Sequence, residues 1–257
     1  MTQPITGLKT PEQLDAMREA GSVIAKVFAD IREYVRPGMT GLDIDTFVSQ
    51  KIAEYGATPT YKEPVPDFPG VICISVNDAI VHGVPTNDPF EAGDIVGFDL
   101  VVTYRGMKAD SAFTMIIGEA PRGAVKHLLN ATERSLYAGI DAIHGDGTTT
   151  GEIGAAIEAV LSHAKLGIIR ELVGHGVGLE MHMPPDVPNY RIRGHETILR
   201  AGDTIAIEPM ATLGGERVYT DPDDGWTILT RDGSLAAHFE HTVLITQNGA
   251  EILTQSK

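Results

Sequence analysis

One order of predicted elements occurs twice along this chain of 257 residues. Each half runs helix, helix, strand, histidine-bearing loop and then two strands that each carry an acidic residue. In "EAGDIVGFD" and "RAGDTIAIE", Asp99 and Glu208 stand at the same distance from a shared Gly-Asp. An internal repeat of this kind predicts one α/β domain over residues 1–257, with pseudo-twofold repeats at about 9–118 and 121–247.

The longest predicted helix is "KTPEQLDAMREAGSVIAKVFADIREYVRPG". Thr10 can cap it, Pro11 suits its first position, and Pro37 and Gly38 end it. Apolar residues recur along it at helical spacing. Three further segments have helical patterns: "GLDIDTFVSQKIAEYG", "PRGAVKHLLNATERSLYAGIDAI" and "TTGEIGAAIEAVLSHAKLG".

Strands are predicted at "VICISVN", "IIRELVG", "DTIAIEPMAT", "WTILT" and "LAAHFEHTVLIT". The segment "DIVGFDLVVTYRGMKADSAFTMIIG" reads as a hairpin that turns at Arg105 and Gly106. With that turn, Asp99 faces residue 112 and Asp110 faces residue 101. The two acids then share one face of the sheet as diagonal neighbours, roughly 7 Å apart at the backbone.

Acidic residues are unusual in apolar strands such as these. Asp is disfavoured in strands, and a buried carboxylate costs free energy unless it is paired or metal-bound. Any one of these acidic residues, taken alone, could lie at a strand end, hydrogen-bonded to the backbone or facing solvent. Four acidic residues in matched places favour a functional site, formed by Asp99, Asp110, Glu208 and Glu240.

Neighbouring carboxylates repel unless a proton or a cation lies between them. Four carboxylates and one histidine suit a pair of divalent ions about 3.5–4 Å apart. Mixed oxygen and imidazole ligation favours Mn, Fe, Co or Zn over Ca or Mg.

Three histidines are candidates for this site. His175 and His182 lie in "LVGHGVGLEMHMPP", whose glycines exclude a helix and let the backbone pass close to ions and substrate. His82 precedes the first pair of acids, as His175 precedes the second. The histidines at 238 and 241 flank Glu240 and are predicted to point away from its side chain.

Composition excludes several classes of function. A formal charge of −15 argues against a nucleic-acid or anionic-membrane surface. The single cysteine, Cys73, excludes an intrachain disulfide and a multi-cysteine zinc site. There is no signal-peptide pattern and no apolar run of roughly 18 residues, so we expect a cytoplasmic protein without a membrane span. Serine-hydrolase, zincin, P-loop and dinucleotide-binding motifs do not occur.

These residues resemble the type I methionine aminopeptidases of peptidase family M24, in the bacterial-type minimal form. The resemblance covers nearly the whole chain and rests on "NDAIVHGVP", "GDIVGFDLVV", "KADSAF", "GHGVGLEMH", "GDTIAIEPM" and "WTILTRDGSLAAHFEHT". It implies the pita-bread fold, in which helices cover a curved, mainly antiparallel sheet. It also implies a monomer that removes the N-terminal methionine of peptides and nascent proteins, and it leaves ribosome association open.

The resemblance assigns roles that the residues alone leave open. Two divalent ions are implied, with ligands Asp99, Asp110, His175, Glu208 and Glu240. Asp110 and Glu240 would bridge both ions. Glu208 would also be the general base of a metal-assisted hydrolysis, His182 would stabilise the oxyanion, and His82 would bind near the scissile amide.

A pocket for the methionine side chain is implied at Cys73, Met181 and Trp226, with a contribution from Phe68. The family's pocket tyrosine cannot be placed in "TYKEPVPDFPG". A monovalent-cation site is matched by Asn77, whereas Ala236 stands where the family has serine. Met183-Pro184-Pro185 also departs from the family, which often has Glu-Glu-Pro there.

Other members of the fold are alternatives. X-Pro aminopeptidases and prolidases resemble the chain in fold and ligands, yet usually carry a long N-terminal domain, whereas the first ligand here is already at residue 99. Type II methionine aminopeptidases carry a large helical insertion for which the spacing between ligands leaves no room. A non-catalytic binding module of this fold typically loses ligands, and all five are present here.

Overall fold

The computed structural model describes residues 4–62, 68–194 and 196–255. Within these ranges the chain forms four α-helices and one short 3-10 helix. They are α1 (Pro11–Tyr34), α2 (Gly41–Glu54), the 3-10 helix Thr60–Lys62, α3 (Gly123–Asp141) and α4 (Thr150–His163). Among these described helices, none is both long enough and apolar enough to cross a bilayer.

Fifteen strands occur in the same described ranges. They are β1 (Thr58–Pro59), β2 (Cys73–Val76), β3 (Ala79–Val81), β4 (Ile95–Tyr104), β5 (Met107–Ile116), β6 (Gly167–Ile168), β7 (Gly174–Gly176), β8 (Met183–Val187), β9 (Thr204–Ile207), β10 (Met210–Thr212), β11 (Val218–Thr220), β12 (Ile228–Thr230), β13 (Ala236–His238), β14 (Glu240–Thr246) and β15 (Gly249–Ile252).

The predicted helices are confirmed, and their ends have local causes. Thr10 accepts a hydrogen bond from the Gln13 amide, and the Gln13 side chain bonds back to the Thr10 amide, which forms a capping box at the start of α1. Similar boxes start α2 and α4. Helix α1 ends at Tyr34, ahead of the predicted stop at Pro37.

The main sheet is antiparallel and follows the order β1-β4-β5-β14-β9-β7-β8, with β2 beside β4 and β15 beside β14. Two three-stranded sheets, β13-β10-β6 and β11-β12-β3, stand beside it. Helix α1 packs on β4 and β5, and α3 packs on β10, β13 and β14. Phe98 and Leu100 point into the resulting apolar core, so the alternating residue Asp99 points to the other face of the sheet.

The two halves differ in how their acid-bearing strands run. In the first half, β4 and β5 form one continuous hairpin. In the second half, β9 and β14 belong to the main sheet, whereas β10 and β13 pair with each other in a smaller sheet. Glu208 therefore lies where the chain leaves the main sheet, and Glu240 lies where it returns.

Three strand predictions were wrong in detail. The predicted strand "IIRELVG" is two short strands, β6 and β7, in different sheets. The segment "DTIAIEPMAT" is broken at Glu208 and Pro209, between β9 and β10, which lie in different sheets. The segment "LAAHFEHTVLIT" is broken at Phe239, between β13 and β14. The breaks depend on partner strands that are distant in sequence, so periodicity within each segment could not indicate them. A further strand, β8, follows His182 and pairs with β7.

Candidate metal centre and substrate pocket

The β4–β5 hairpin has the register that the sequence predicts. Asp99 lies opposite Ala112, and Val101 lies opposite Asp110. On the other side of β5, Glu240 also lies opposite Ala112. Since directly opposed residues in antiparallel strands share a face, Asp99 and Glu240 flank Ala112, and Asp110 lies two residues along the same face.

A tight group of metal-binding atoms forms here. One donor atom from each of Asp110, His175 and Glu240 lies within 4.8 Å of the other two, and all three residues are buried. Three of the five predicted ligands thus come together. Asp99 and Glu208 are outside this group of three, and Glu208 Oε1 lies 3.5 Å from His175 Nε2.

The His175 ring is oriented for ligation. Its Nδ1 lies 3.0 Å from the carbonyl oxygen of Gly176, which assigns the ring proton to Nδ1. Its Nε2 then carries the lone pair and faces Asp110 Oδ2 at 3.8 Å and Glu208 Oε1 at 3.5 Å. A backbone carbonyl that fixes the tautomer in this way is typical of metal-binding histidines.

The acidic residues of this group fit a bound cation. Asp110 Oδ1 and Glu240 Oε1 are buried and have no hydrogen-bond partner among the described residues. Burial raises the pKa of the Asp110 carboxyl well above its usual range, and Asp99 adds to the effect. Burial likewise raises the pKa of Glu240, followed by repulsion from Asp110. Unpaired buried oxygens on mutually repelling carboxylates are the donors that a divalent ion satisfies.

The carboxyl groups of Asp99 and Glu208 differ in their environments. Burial raises the pKa of Asp99 to about 6, although the nearby His238 opposes the shift. Burial also acts to raise the pKa of Glu208. Hydrogen bonding to His238, followed by electrostatic attraction to the His175, His238 and His82 side chains, outweighs it, so this pKa is lowered. Glu208 is therefore an ionised carboxylate at neutral pH.

His82 and His182 line one cleft with His175 and Glu208, and the cleft has a volume of about 330 Å³. The rings of His175 and His182 are 4.2 Å apart between centroids and meet edge to face. His82 follows β3 with a φ of 57°, a backbone conformation that is rare outside glycine and concentrates at functional sites. Burial lowers the pKa of both cleft histidines, that of His182 to about 4, so both rings are neutral at neutral pH.

The predicted pocket residues also come together. Cys73 and Phe68 are buried in one cluster, with Met181 and Trp226 packed against it. The Phe68 and Trp226 rings meet edge to face, 5.4 Å apart. The segment "TYKEPVPDFPG" is described except for residues 63–67, which lie outside the described residues.

Tyr61 is a pocket residue that the sequence did not place. Its ring lies 5.0 Å from that of Phe68, and the Cys73 thiol donates to its hydroxyl over 3.5 Å. The irregular proline-rich spacing between Tyr61 and Phe68 gave no register by which to find it.

The prediction that the histidines beside Glu240 point away was right for His241 and wrong for His238. His241 lies on the opposite face, where its ring contacts Thr254 and Tyr137. His238 Nε2 lies 3.4 Å from Glu208 Oε2. His238 is two positions before Glu240, and such residues can share a face, so the period-two rule was the signal that could have found it.

The glycines around His175 serve strand packing. A Cβ on Gly174 would collide with the carbonyl oxygen of Ala206 on β9, and one on Gly176 with that of Pro184 on β8. The predicted close approach of this backbone is therefore made to the two neighbouring strands.

Asn77 uses its polar groups within the fold. Its side-chain amide donates to Asp94 Oδ1 over 2.9 Å, its side-chain oxygen accepts from the Ile95 amide, and its carbonyl oxygen accepts from the Ala236 amide. The predicted monovalent cation at Asn77 stays a prediction.

The chain matches known proteins along nearly its whole length. The model of metallopeptidase family M24 matches residues 15–247. A methionine aminopeptidase of Clostridium perfringens is 40% identical over 97% of this chain and 99% of that relative. Methionine aminopeptidase 1 of Bacillus subtilis is 37% identical over 96% of this chain and 98% of its own length.

Solved structures agree with these matches. The crystal structure of methionine aminopeptidase from Thermotoga maritima has a TM-score of 0.91 and 39% identity, covering 97% of this chain and 99% of that one. Prolidase from Pyrococcus furiosus has a TM-score of 0.76 and 24% identity, and this chain covers 66% of it, a likeness of fold alone. The predicted pita-bread fold is thereby confirmed, and the chain belongs to metallopeptidase family M24, among its methionine aminopeptidases.

Proposed function

We propose that this protein is a metal-dependent aminopeptidase that removes the N-terminal methionine from peptides and nascent proteins. The observation that carries the proposal is the buried group of Asp110, His175 and Glu240 beside an apolar pocket. Likeness to methionine aminopeptidases over nearly their full lengths supports it.

The proposed centre holds two divalent ions of Co, Mn, Fe or Zn. Five ligands would hold them: Asp99, Asp110, His175, Glu208 and Glu240. Asp110 and Glu240 would contribute ligands to this centre, since each keeps a buried oxygen without a hydrogen-bond partner among the described residues. When bound, divalent ions supply a nucleophile at neutral pH and polarise the scissile carbonyl group.

Glu208 is proposed as the general base. Its lowered pKa keeps it ionised, so it can accept the proton of the attacking water and give it to the leaving amine. His182 is neutral at neutral pH, and its ring can donate a hydrogen bond to the developing oxyanion. His82, on the same cleft, is proposed to hydrogen-bond the scissile amide.

The methionine side chain is proposed to enter the pocket of Tyr61, Phe68, Cys73, Met181 and Trp226. These side chains are apolar or aromatic, which suits an unbranched thioether because sulfur makes favourable contacts with aromatic rings. Burial keeps the Cys73 thiol and the Tyr61 hydroxyl neutral by raising both pKa values.

We also propose that residues 1–257 act as one domain with pseudo-repeats at about 9–118 and 121–247, as a monomer in the cytoplasm. The recurring order of helices and strands in both halves supports the repeats. Ribosome association belongs to the same proposal, because nascent proteins are the proposed substrates.

Peptide cleavage tests the function. Protein loaded with Co²⁺ or Mn²⁺ is incubated with Met-Ala-Ser and with Leu-Pro-Ala, and the released amino acids are measured. We expect release of Met and intact Leu-Pro-Ala. Cleavage of the X-Pro bond alone would favour the prolidase-like alternative, and cleavage of neither peptide with metal bound would favour a non-catalytic binding module.

A further inference from the structure

The Glu208 carboxylate lies between two imidazoles. His175 Nε2 is 3.5 Å from Oε1, and His238 Nε2 is 3.4 Å from Oε2. His175 has its own place in the metal-binding group, whereas His238 has none. The two oxygens of the proposed general base therefore have different neighbours.

Strand pairing brings His238 to this position. His238 on β13 lies opposite Met210 on β10, and Met210 is two residues after Glu208. The Phe239 amide donates to the Pro209 carbonyl oxygen over 3.4 Å, which holds the two chain segments together where each changes sheet. His238 is 3% exposed, so water does not compete for its ring.

The main chain of His238 is hydrogen-bonded to β5, the strand that carries the proposed ligand Asp110. The His238 amide donates to Thr114 Oγ1 over 3.0 Å, and the same hydroxyl donates to the His238 carbonyl oxygen over 2.7 Å. Thr114 lies on β5, the strand that carries Asp110. On the other side, the Asn189 side-chain amide donates to the Glu208 carbonyl oxygen over 3.0 Å. Both partners of the His238–Glu208 contact are thus held by their backbones.

Glu208 offers an acceptor to the His238 ring. Its buried Nε2 has no hydrogen bond of ideal geometry within the described ranges, and Glu208 Oε2 at 3.4 Å needs only a small movement to complete one. A buried donor left without an acceptor would cost free energy, because its desolvation is not compensated. This cost favours the arrangement in which the ring donates to the carboxylate.

We propose that His238 is a positioning residue, whose Nε2 donates to Glu208 Oε2 and fixes the carboxylate with Oε1 turned toward His175. The inference rests on the proposed function, because it assigns a partner to the proposed general base. His238 is not one of the grouped residues Asp110, His175 and Glu240. It acts on the reaction through the orientation of Glu208.

Two substitutions of similar length test this role. Gln at position 238 keeps a donor, whereas Met does not. With Co²⁺-loaded protein and Met-Ala-Ser at pH 7.5, His238→Met should lower kcat about 10- to 100-fold, the usual effect of removing a partner that orients a metal-site residue. KM should change less than about 3-fold, and His238→Gln should restore most of kcat.

A second readout does not depend on turnover. The visible absorption bands of bound Co²⁺ and its affinity by calorimetry should change in His238→Met and return toward wild type in His238→Gln. His241→Leu is the matched control, since it removes a half-buried imidazole beside Glu240 whose ring contacts Thr254 and Tyr137 on the other face. It should keep wild-type kcat and Co²⁺ bands.

Three results would overturn the inference: wild-type kcat and bands in His238→Met, equal losses in His238→Gln and His238→Met, or the same losses in His241→Leu. If His238→Met does not fold, the test uses His238→Gln alone. A loss of kcat in His238→Gln as large as that in Glu208→Ala would then contradict the proposal. If wild-type protein releases no Met, the proposed function fails, and the Co²⁺ readout still tests His238.

Discussion

Cys73 lies directly opposite Asp99 on the neighbouring strands β2 and β4. Opposed residues in antiparallel strands share a face, so the thiol in the wall of the apolar pocket stands beside a proposed metal ligand. The strand pairing that forms the sheet thereby sets the distance between the pocket and the centre. A methionine side chain in this pocket would bring its own backbone to the acidic group.

The Cys73 thiol should resist alkylation. Burial, followed by the charge of Asp99, raises its pKa well above the ordinary value, so the reactive thiolate is scarce at neutral pH. Iodoacetamide at pH 7 should leave native protein unmodified while it labels urea-unfolded protein fully, as read by mass spectrometry. Labelling of both forms at similar rates would contradict the buried position.

Metal removal should lower thermal stability. Binding to the folded state alone adds about 2.7 kcal/mol to the free energy of unfolding at a free metal concentration of 100 times Kd. For a chain of this size that is roughly 5–10 °C in Tm. Calorimetric scans with Mn²⁺ and with chelator measure the difference. A variant with both Asp110→Ala and Glu240→Ala should show no gain from Mn²⁺, and an equal gain there would place the ion elsewhere.

The relative positions of Asp99 and Asp110 could be predicted from the sequence, because they depend on a single hairpin. A single turn at Arg105 and Gly106 sets the register of a continuous hairpin, and that register puts Asp99 and Asp110 on one face. The helices were predictable for the same reason, since their caps and apolar stripes lie within one segment.

The second half depends on contacts between distant segments. His238 meets Glu208 only because β13 pairs with β10 in a separate sheet, and nothing within "LAAHFEHTVLIT" marks the break at Phe239. Tyr61 joins the pocket through its contacts with Phe68 and Cys73, and the proline-rich sequence between Tyr61 and Phe68 has no periodicity. Patterns with one period cannot encode either arrangement.

Substitutions of His82 and Glu208 should affect catalysis and metal binding differently. His82→Ala should lower turnover about 10²–10³-fold, the range for losing one hydrogen-bond donor at the reacting group, with metal content near wild type. Glu208→Ala should abolish turnover and weaken metal binding, because the same residue is a proposed ligand and the proposed base. Elemental analysis beside kinetics checks both, and loss of metal in His82→Ala would refute its role at the substrate.

Gly176 should not tolerate a side chain. The added Cβ of Gly176→Ala would collide with the Pro184 carbonyl oxygen and displace β7, which carries His175. We expect a loss of about 1–3 kcal/mol in the free energy of unfolding, as for other overpacked sites, together with weaker metal binding. Urea unfolding and calorimetric titration measure the two effects. Wild-type values for both would show that β7 and β8 can separate freely.

His241 should make the metal-free protein sensitive to acid. Burial, with a smaller effect of Arg32, lowers its pKa to about 4, against roughly 6.5 in an unfolded chain. Between these values the unfolded chain binds a proton that the folded chain does not. The free energy of unfolding therefore falls as the pH falls from about 6.5 toward 4, and this residue has no effect on the pH dependence above that window. Urea unfolding of chelated wild-type protein and His241→Leu at pH 4.5, 5.5, 6.5 and 7.5 measures the contribution. The variant should lose less stability on acidification, and parallel curves would show that the His241 ring takes up its proton equally well in the folded chain.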